Sequence, residues 1–166
     1  MPPLFPATLA LYGVACALYL GHLMSGSQGL ARAGRGALAA AFASQALDIG
    51  WLCTHGMHPA VSAREALSFA AWLICGAYLL ASVRIRIPVV GALVVPMTMV
   101  LDVAARLSPS HEVAHGVSTL GAVHIMLATA GVALFAVAAD GAVIYLVEER
   151  APLHRNVEQA EVGNTA

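Results

Sequence analysis

Residues 66–83 read ALSFAAWLICGAYLLASV, a continuous stretch that contains no charged side chain. At 1.5 Å per residue, a helix of this length extends about 27 Å, close to the ~30 Å hydrocarbon core of a bilayer. Apolar runs of similar length lie on both sides of this stretch, and short polar segments separate them. The pattern predicts a polytopic membrane protein built from α-helices.

Five transmembrane helices are predicted in this way. They cover about 4–24, 37–55, 63–83, 88–106 and 118–147. The third has the clearest start, because Ser62 followed by Glu65 forms a capping-box pattern. We therefore expect residues 1–150 to form one five-helix transmembrane domain, and residues 151–166 to form a polar, disordered cytoplasmic tail.

Composition supports a bilayer as the main partner of the chain. Of its 166 residues, 60% are apolar and 10% are charged, whereas soluble domains are about 45–50% apolar and 25% charged. Lysine is absent and the net charge is −1, so nothing indicates a nucleic-acid partner. The three cysteines form no CxxC pair, which leaves them as small apolar residues within or near the spans.

The arginines predict the orientation of the chain. Six of the eight lie in the loops after spans one and three and in the tail, and two lie in the alternate loops. Because basic residues favour the cytoplasmic side, the N-terminus is predicted outside and the C-terminus inside. Five histidines then fall at or near the external face: His55, His58, His111, His115 and His124.

Polar residues within the spans require a partner or a purpose. On span two, helical periodicity places Asp48 and His55 on one stripe with Trp51 beside it. A structural hydrogen bond between helices is the favoured interpretation of Asp48, and a proton path or ligand contact is the alternative. In span four, Asp102 and Arg106 are four residues apart, so we expect a structural ion pair.

Span five places a histidine among small residues. His124 lies about two turns in from the external end, and Gly121, Ala128 and Gly131 share its face, with Phe135 among them. Small residues on that face form a flat recess. Such a recess suits close approach of another helix or a planar haem whose iron the imidazole ligates.

A second histidine pattern lies before span five. The string from His111 through Glu112 to His115 matches HExxH literally. Its flanks, Pro109 and Gly116, belong to a short loop, whereas the zinc-protease motif requires a regular helix and a third ligand. A protease site, loose metal or haem-edge contacts and a solvated loop all remain open.

Two stretches of the chain resemble one protein family. The first runs from His58 to Arg86, and its residues 64–72, REALSFAAW, resemble the family's Glu-x-Leu-x-Phe-x-x-Trp pattern at the head of a span. The Gly91–Pro96 run that follows resembles the next span. Residues 124–150, HIMLATAGVALFAVAADGAVIYLVEER, resemble the helix that begins with an external histidine and closes with Glu-Arg. The family is that of the cytochrome c assembly proteins of the CcsA/CcmC type, and particularly its HemX-like members.

This resemblance implies a binding and assembly factor in the bacterial inner membrane rather than an enzyme. Members of the family bind haem at the external face and present it for attachment to apocytochrome c. His124 matches the first external histidine that ligates haem iron. Trp72 matches a third-span residue for which the resemblance implies no catalytic role.

The chain departs from the family pattern in two respects. The family's tryptophan-rich haem segment and its second external histidine lie after additional spans, so the chain resembles the N-terminal half of a member. A second axial ligand is then expected from His55, His58 or His115, from a second polytopic membrane protein, or not at all. The alternative function is a membrane interaction or regulatory protein without haem, and a metalloprotease is a more distant third.

Overall fold

The computed structural model describes residues 3–57, 59, 62–84, 88–108 and 118–163, which form five α-helices. The helices are α1 Phe5–Ser25, α2 Gln28–Thr54, α3 Ala63–Arg84, α4 Pro88–Leu107 and α5 Thr119–Gly163. Each contains a section that is long and apolar enough to cross a membrane. The predicted all-α fold with five candidate spans is confirmed for these residues.

Local signals explain several helix ends. The backbone N–H of Glu65 donates to Ser62 Oγ at 3.3 Å, which is one half of the predicted capping box. Gly26 ends α1 with a positive φ of 67°, and its N–H donates to the His22 carbonyl at 2.8 Å. This tight turn allows α2 to begin at Gln28, about nine residues before the predicted start.

The last helix is longer than the sequence pattern indicated. Its backbone is helical through Gly163, past residue 150, where we expected a disordered tail to begin. Seven of residues 151–163 are Glu, Ala, Leu, Arg or Gln, whose helix propensity favours this continuation, whereas Pro152 opposes it. The division of the chain at residue 150 into a domain and a tail stays a prediction.

Helices α1 to α4 form the core of the bundle, and α5 lies at its edge. Helix α1 packs against α2 and α4, whereas α3 packs against α4 and α5. Within the described residues, α5 makes no contact with α1 or α2. Large buried side chains fill the centre: Tyr12, Tyr19, Leu38, Val94 and Val95.

A close contact between three helices depends on a glycine in α4. The Tyr19 and Tyr78 hydroxyls lie 3.1 Å apart, and their rings meet edge to face with centroids 6.2 Å apart. A Cβ at Gly91 would come within 2.7 Å of the Tyr19 ring and 2.5 Å of the Tyr78 hydroxyl. The absence of a side chain at Gly91 therefore allows α4 to approach α1 and α3.

We expect Gly91→Ala to lower the free energy of unfolding by about 1–3 kcal/mol, because the added methyl overpacks the two tyrosines. Gly13→Ala is the matched control, since a Cβ there meets nothing within 4 Å. Unfolding of the purified protein in detergent micelles measures both changes. Equal stability of the two variants would contradict the close packing at Gly91.

Candidate functional site

The acidic residue of α2 holds the start of α1. Asp48 is 3% exposed, and its Oδ1 accepts the backbone N–H of Leu4 at 2.9 Å. One turn away, the hydroxyls of Ser44 and Thr8 are hydrogen-bonded at 2.7 Å. A carboxylate at a helix N-terminus satisfies a free N–H and interacts favourably with the helix dipole. The geometry supports the structural interpretation of Asp48, at the end of the bundle.

Deeper in the bundle, four helices meet in a buried hydrogen-bonded cluster, which we call the polar layer: Tyr12, Gln45, Ser68 and Asp102. The Tyr12 hydroxyl donates to Gln45 Oε1. Gln45 Nε2 donates to the Ser68 carbonyl at 3.1 Å and to Asp102 Oδ1 at 3.2 Å. Ser68 Oγ donates to Asp102 Oδ1 at 2.8 Å. Each of the four side chains is at most 3% exposed.

The polar layer contains one residue from each of α1, α2, α3 and α4. Sequence reasoning missed Gln45, although an amide between Ser44 and Asp48 in an apolar span is itself a signal of interhelical hydrogen bonding. Its amide group has both a donor and an acceptor side, so one residue can join three other helices. We expect it to fix the relative rotation of the four helices.

The predicted ion pair between Asp102 and Arg106 is wrong. Within the described residues no ion pair joins them, because Asp102 turns into the polar layer instead. The guanidinium of Arg106 lies over the Phe5 ring, 4.8 Å from its centroid. The carbonyl of Arg106 accepts from Arg64 Nη2 at 2.7 Å, and that of Ala105 accepts from Arg64 Nε at 3.1 Å. Arg64 thus caps the end of α4.

The predicted haem recess on α5 is an open helix surface. His124, Ala128 and Gly131 are exposed, Gly121 is half-buried, and Phe135 is 76% exposed. A Cβ at Gly131 would meet nothing within 4 Å. The small residues around His124 therefore do not serve to pack α5 against α1–α4.

Contacts between α5 and the bundle lie elsewhere on that helix. Of the α5 side chains that the structure describes, Ala133 alone is fully buried. Its candidate span, Thr119–Ala136, is the least buried of the five. The imidazole of His124 is thus exposed and uncovered by the other described helices.

Among the described residues, no second histidine lies beside His124. Nδ1 of His55 lies 2.8 Å from the carbonyl oxygen of Trp51, and the two rings are 4.1 Å apart between centroids. Both residues are exposed at the end of α2, which does not contact α5. The other predicted ligands lie outside the described residues: His58, His111, Glu112 and His115. The described ranges contain no cluster of three metal-binding side chains.

Trp72 has a packing role. Its ring stacks on Phe42 with centroids 4.8 Å apart, and Nε1 donates to the Phe42 carbonyl at 3.2 Å. The Phe69 ring lies 5.9 Å from the Trp72 ring between centroids, at an interplanar angle of 21°. Phe42 and Trp72 line an apolar cleft of about 360 Å³ whose walls come from α2, α3 and α5.

Comparisons of the chain with protein-family models, curated proteins and solved structures find no significant match. The resemblance to cytochrome c assembly proteins therefore stays a prediction from the two sequence stretches.

We expect Gln45→Leu to lower the free energy of unfolding by about 1–3 kcal/mol. Leucine keeps most of the volume but leaves the Tyr12 hydroxyl without its acceptor and Asp102 without one donor. Leu47→Ala is the control, because Leu47 is 65% exposed and its truncation removes no hydrogen bond. Denaturation in mixed micelles measures both variants, and a Gln45→Leu chain as stable as the wild type would show that the polar layer contributes nothing.

Proposed function

We propose that the chain is a haem-handling subunit of a cytochrome c assembly system, with His124 as an axial ligand of the haem iron. The observation that carries this proposal is the exposed imidazole on α5, one of the few polar side chains in an apolar span. Polar side chains within spans are costly and usually have a function. No other described helix covers His124, which leaves the imidazole exposed on the surface of the described bundle.

The residues around His124 fit a planar macrocycle as one wall of a site. Glycine and alanine at positions 121, 128 and 131 keep the helix surface flat, and Phe135 adds an apolar surface at its far end. Imidazole is a common axial ligand of haem iron. Haem bound here would supply the prosthetic group for apocytochrome c, and this chain would bind and orient it.

The opposite wall of the proposed haem site must come from outside the described bundle. Helix α5 packs on one side only, and His55 is turned against Trp51. We propose that a second polytopic membrane protein packs against the exposed face of α5 and supplies the remaining contacts. The second axial ligand would come from this partner, or from His58 or His115.

We further propose that the chain lies in a bacterial inner membrane with its N-terminus outside. The support is the distribution of arginines, of which Arg32 and Arg35 follow the α1–α2 turn. In this orientation the His124 end of α5 faces the external side, where the resemblance places haem attachment.

The orientation predicts different accessibility of two engineered cysteines. In a chain whose three native cysteines are replaced by alanine, Met57→Cys should react in intact cells with a membrane-impermeant maleimide, and Ser27→Cys should react only after lysis. Both positions lie at exposed helix ends. The reverse pattern would place the N-terminus in the cytoplasm.

The haem proposal predicts a Soret band in the protein purified with its partner from haem-replete cells. His124→Ala should lose most of this band, because the iron loses its protein ligand. His124→Gly should lose it as well and regain it with added imidazole, which replaces the missing ring. Val123→Ala is the control, since it changes an exposed apolar residue adjacent to His124.

An unchanged Soret band in His124→Ala would exclude His124 as the ligand. A chain that carries no haem but keeps a stable membrane partner, even without its histidines, would support the alternative of a membrane interaction or regulatory protein. The exposed small-residue face of α5 fits either a protein partner or haem. The Soret band of the wild type and of His124→Ala therefore separates the haem-handling function from the interaction function.

A further inference from the structure

Two buried polar atoms on α4 have no hydrogen-bond partner among the described residues. The side chain of Asp102 is 1% exposed, and its Oδ1 accepts both donors of the polar layer while Oδ2 accepts none. One turn further along, Nε of Arg106 is also buried without a partner. One atom is an acceptor and the other is a donor.

The two residues lie one turn apart on α4, and their charged groups form no ion pair. Residues four apart in a helix lie on the same face, with Cβ atoms about 5–6 Å apart. No nitrogen of Arg106 lies within 4.0 Å of the Asp102 carboxylate. The contact with Phe5 holds the guanidinium toward α1, and the hydrogen bonds from α2 and α3 hold the carboxylate toward the polar layer.

We infer that a single water molecule binds between Asp102 Oδ2 and Arg106 Nε. The ligand of this site must accept a hydrogen bond from an N–H group and donate one to a carboxylate oxygen, and water does both. The guanidinium repels a metal cation and the carboxylate repels an anion. The site therefore selects a small neutral molecule.

This water extends the polar layer to the end of the bundle. It joins Asp102 to Arg106, whose carbonyl already accepts from Arg64 of α3. A buried carboxylate oxygen without a donor is costly, and the bilayer offers no solvent to satisfy it. The water therefore stabilises both the carboxyl group of Asp102 and the position of the guanidinium over Phe5.

A crystal structure of the full chain in a lipidic phase, at a resolution that shows ordered water, tests the site directly. We expect density at hydrogen-bonding distance, about 2.7–3.2 Å, from both atoms. A direct contact between the carboxylate and the guanidinium, a bound ion, or a dry gap between them would overturn the inference.

A thermal-stability cycle tests the same link in solution. Arg106→Met and Asp102→Leu should each lower Tm by roughly 3 °C or more. Their combined effect should be smaller than the sum of the two, because each variant removes one end of the same bridge. Leu107→Ala is the control, since Leu107 lies next to Arg106 and is 80% exposed, and its effect should add to that of Asp102→Leu. Additive effects of Arg106→Met and Asp102→Leu would contradict the bridge, and if either variant does not fold, the crystal structure decides.

Discussion

The described bundle depends most on the hydrogen bonds that the Gln45 side-chain amide makes to three other helices. In a bilayer, an apolar side chain has a similar free energy in contact with lipid and in contact with another apolar side chain. Apolar packing alone therefore selects no unique rotation of a helix. A buried amide must find donors and acceptors within the protein, because hydrocarbon offers none. Gln45 finds them on α1, α3 and α4 simultaneously. The apolar core and the close contact at Gly91 are compatible with this arrangement.

The number of helices was readable from the sequence, whereas their mutual orientation was not. The thickness of the bilayer sets the length of apolar stretches such as 66–83, and this length can be read from one sequence. The partner of Asp102 is a different case. The spacing of four residues to Arg106 favoured a local pair, but donors from α2 and α3 occupy the carboxylate instead. Contacts from distant parts of the chain leave no signature in helical periodicity.

The same division applies to the candidate site. Small residues around His124 predicted a flat recess, and several of the described residues there, including His124, Ala128 and Gly131, are exposed. Whether another helix of this chain would cover that surface could not be inferred, since periodicity identifies a face but not its neighbour. Gln45 was missed because helical periodicity does not show which groups on distant helices an uncharged amide contacts. Trp72 belongs to the stretch that resembles the family's third-span pattern, and its stacking on Phe42 shows that it packs α3 against α2.

The peripheral position of α5 also has a consequence for biogenesis. The hydrogen bonds of the polar layer all lie within α1–α4. During synthesis at the translocon, the first four helices can therefore complete their shared bonds while α5 is still emerging from the ribosome. Helix α5 then packs from the lipid side onto an α1–α4 bundle that is already hydrogen-bonded. The exposed face of α5 is therefore the last surface of the described bundle to enter the membrane.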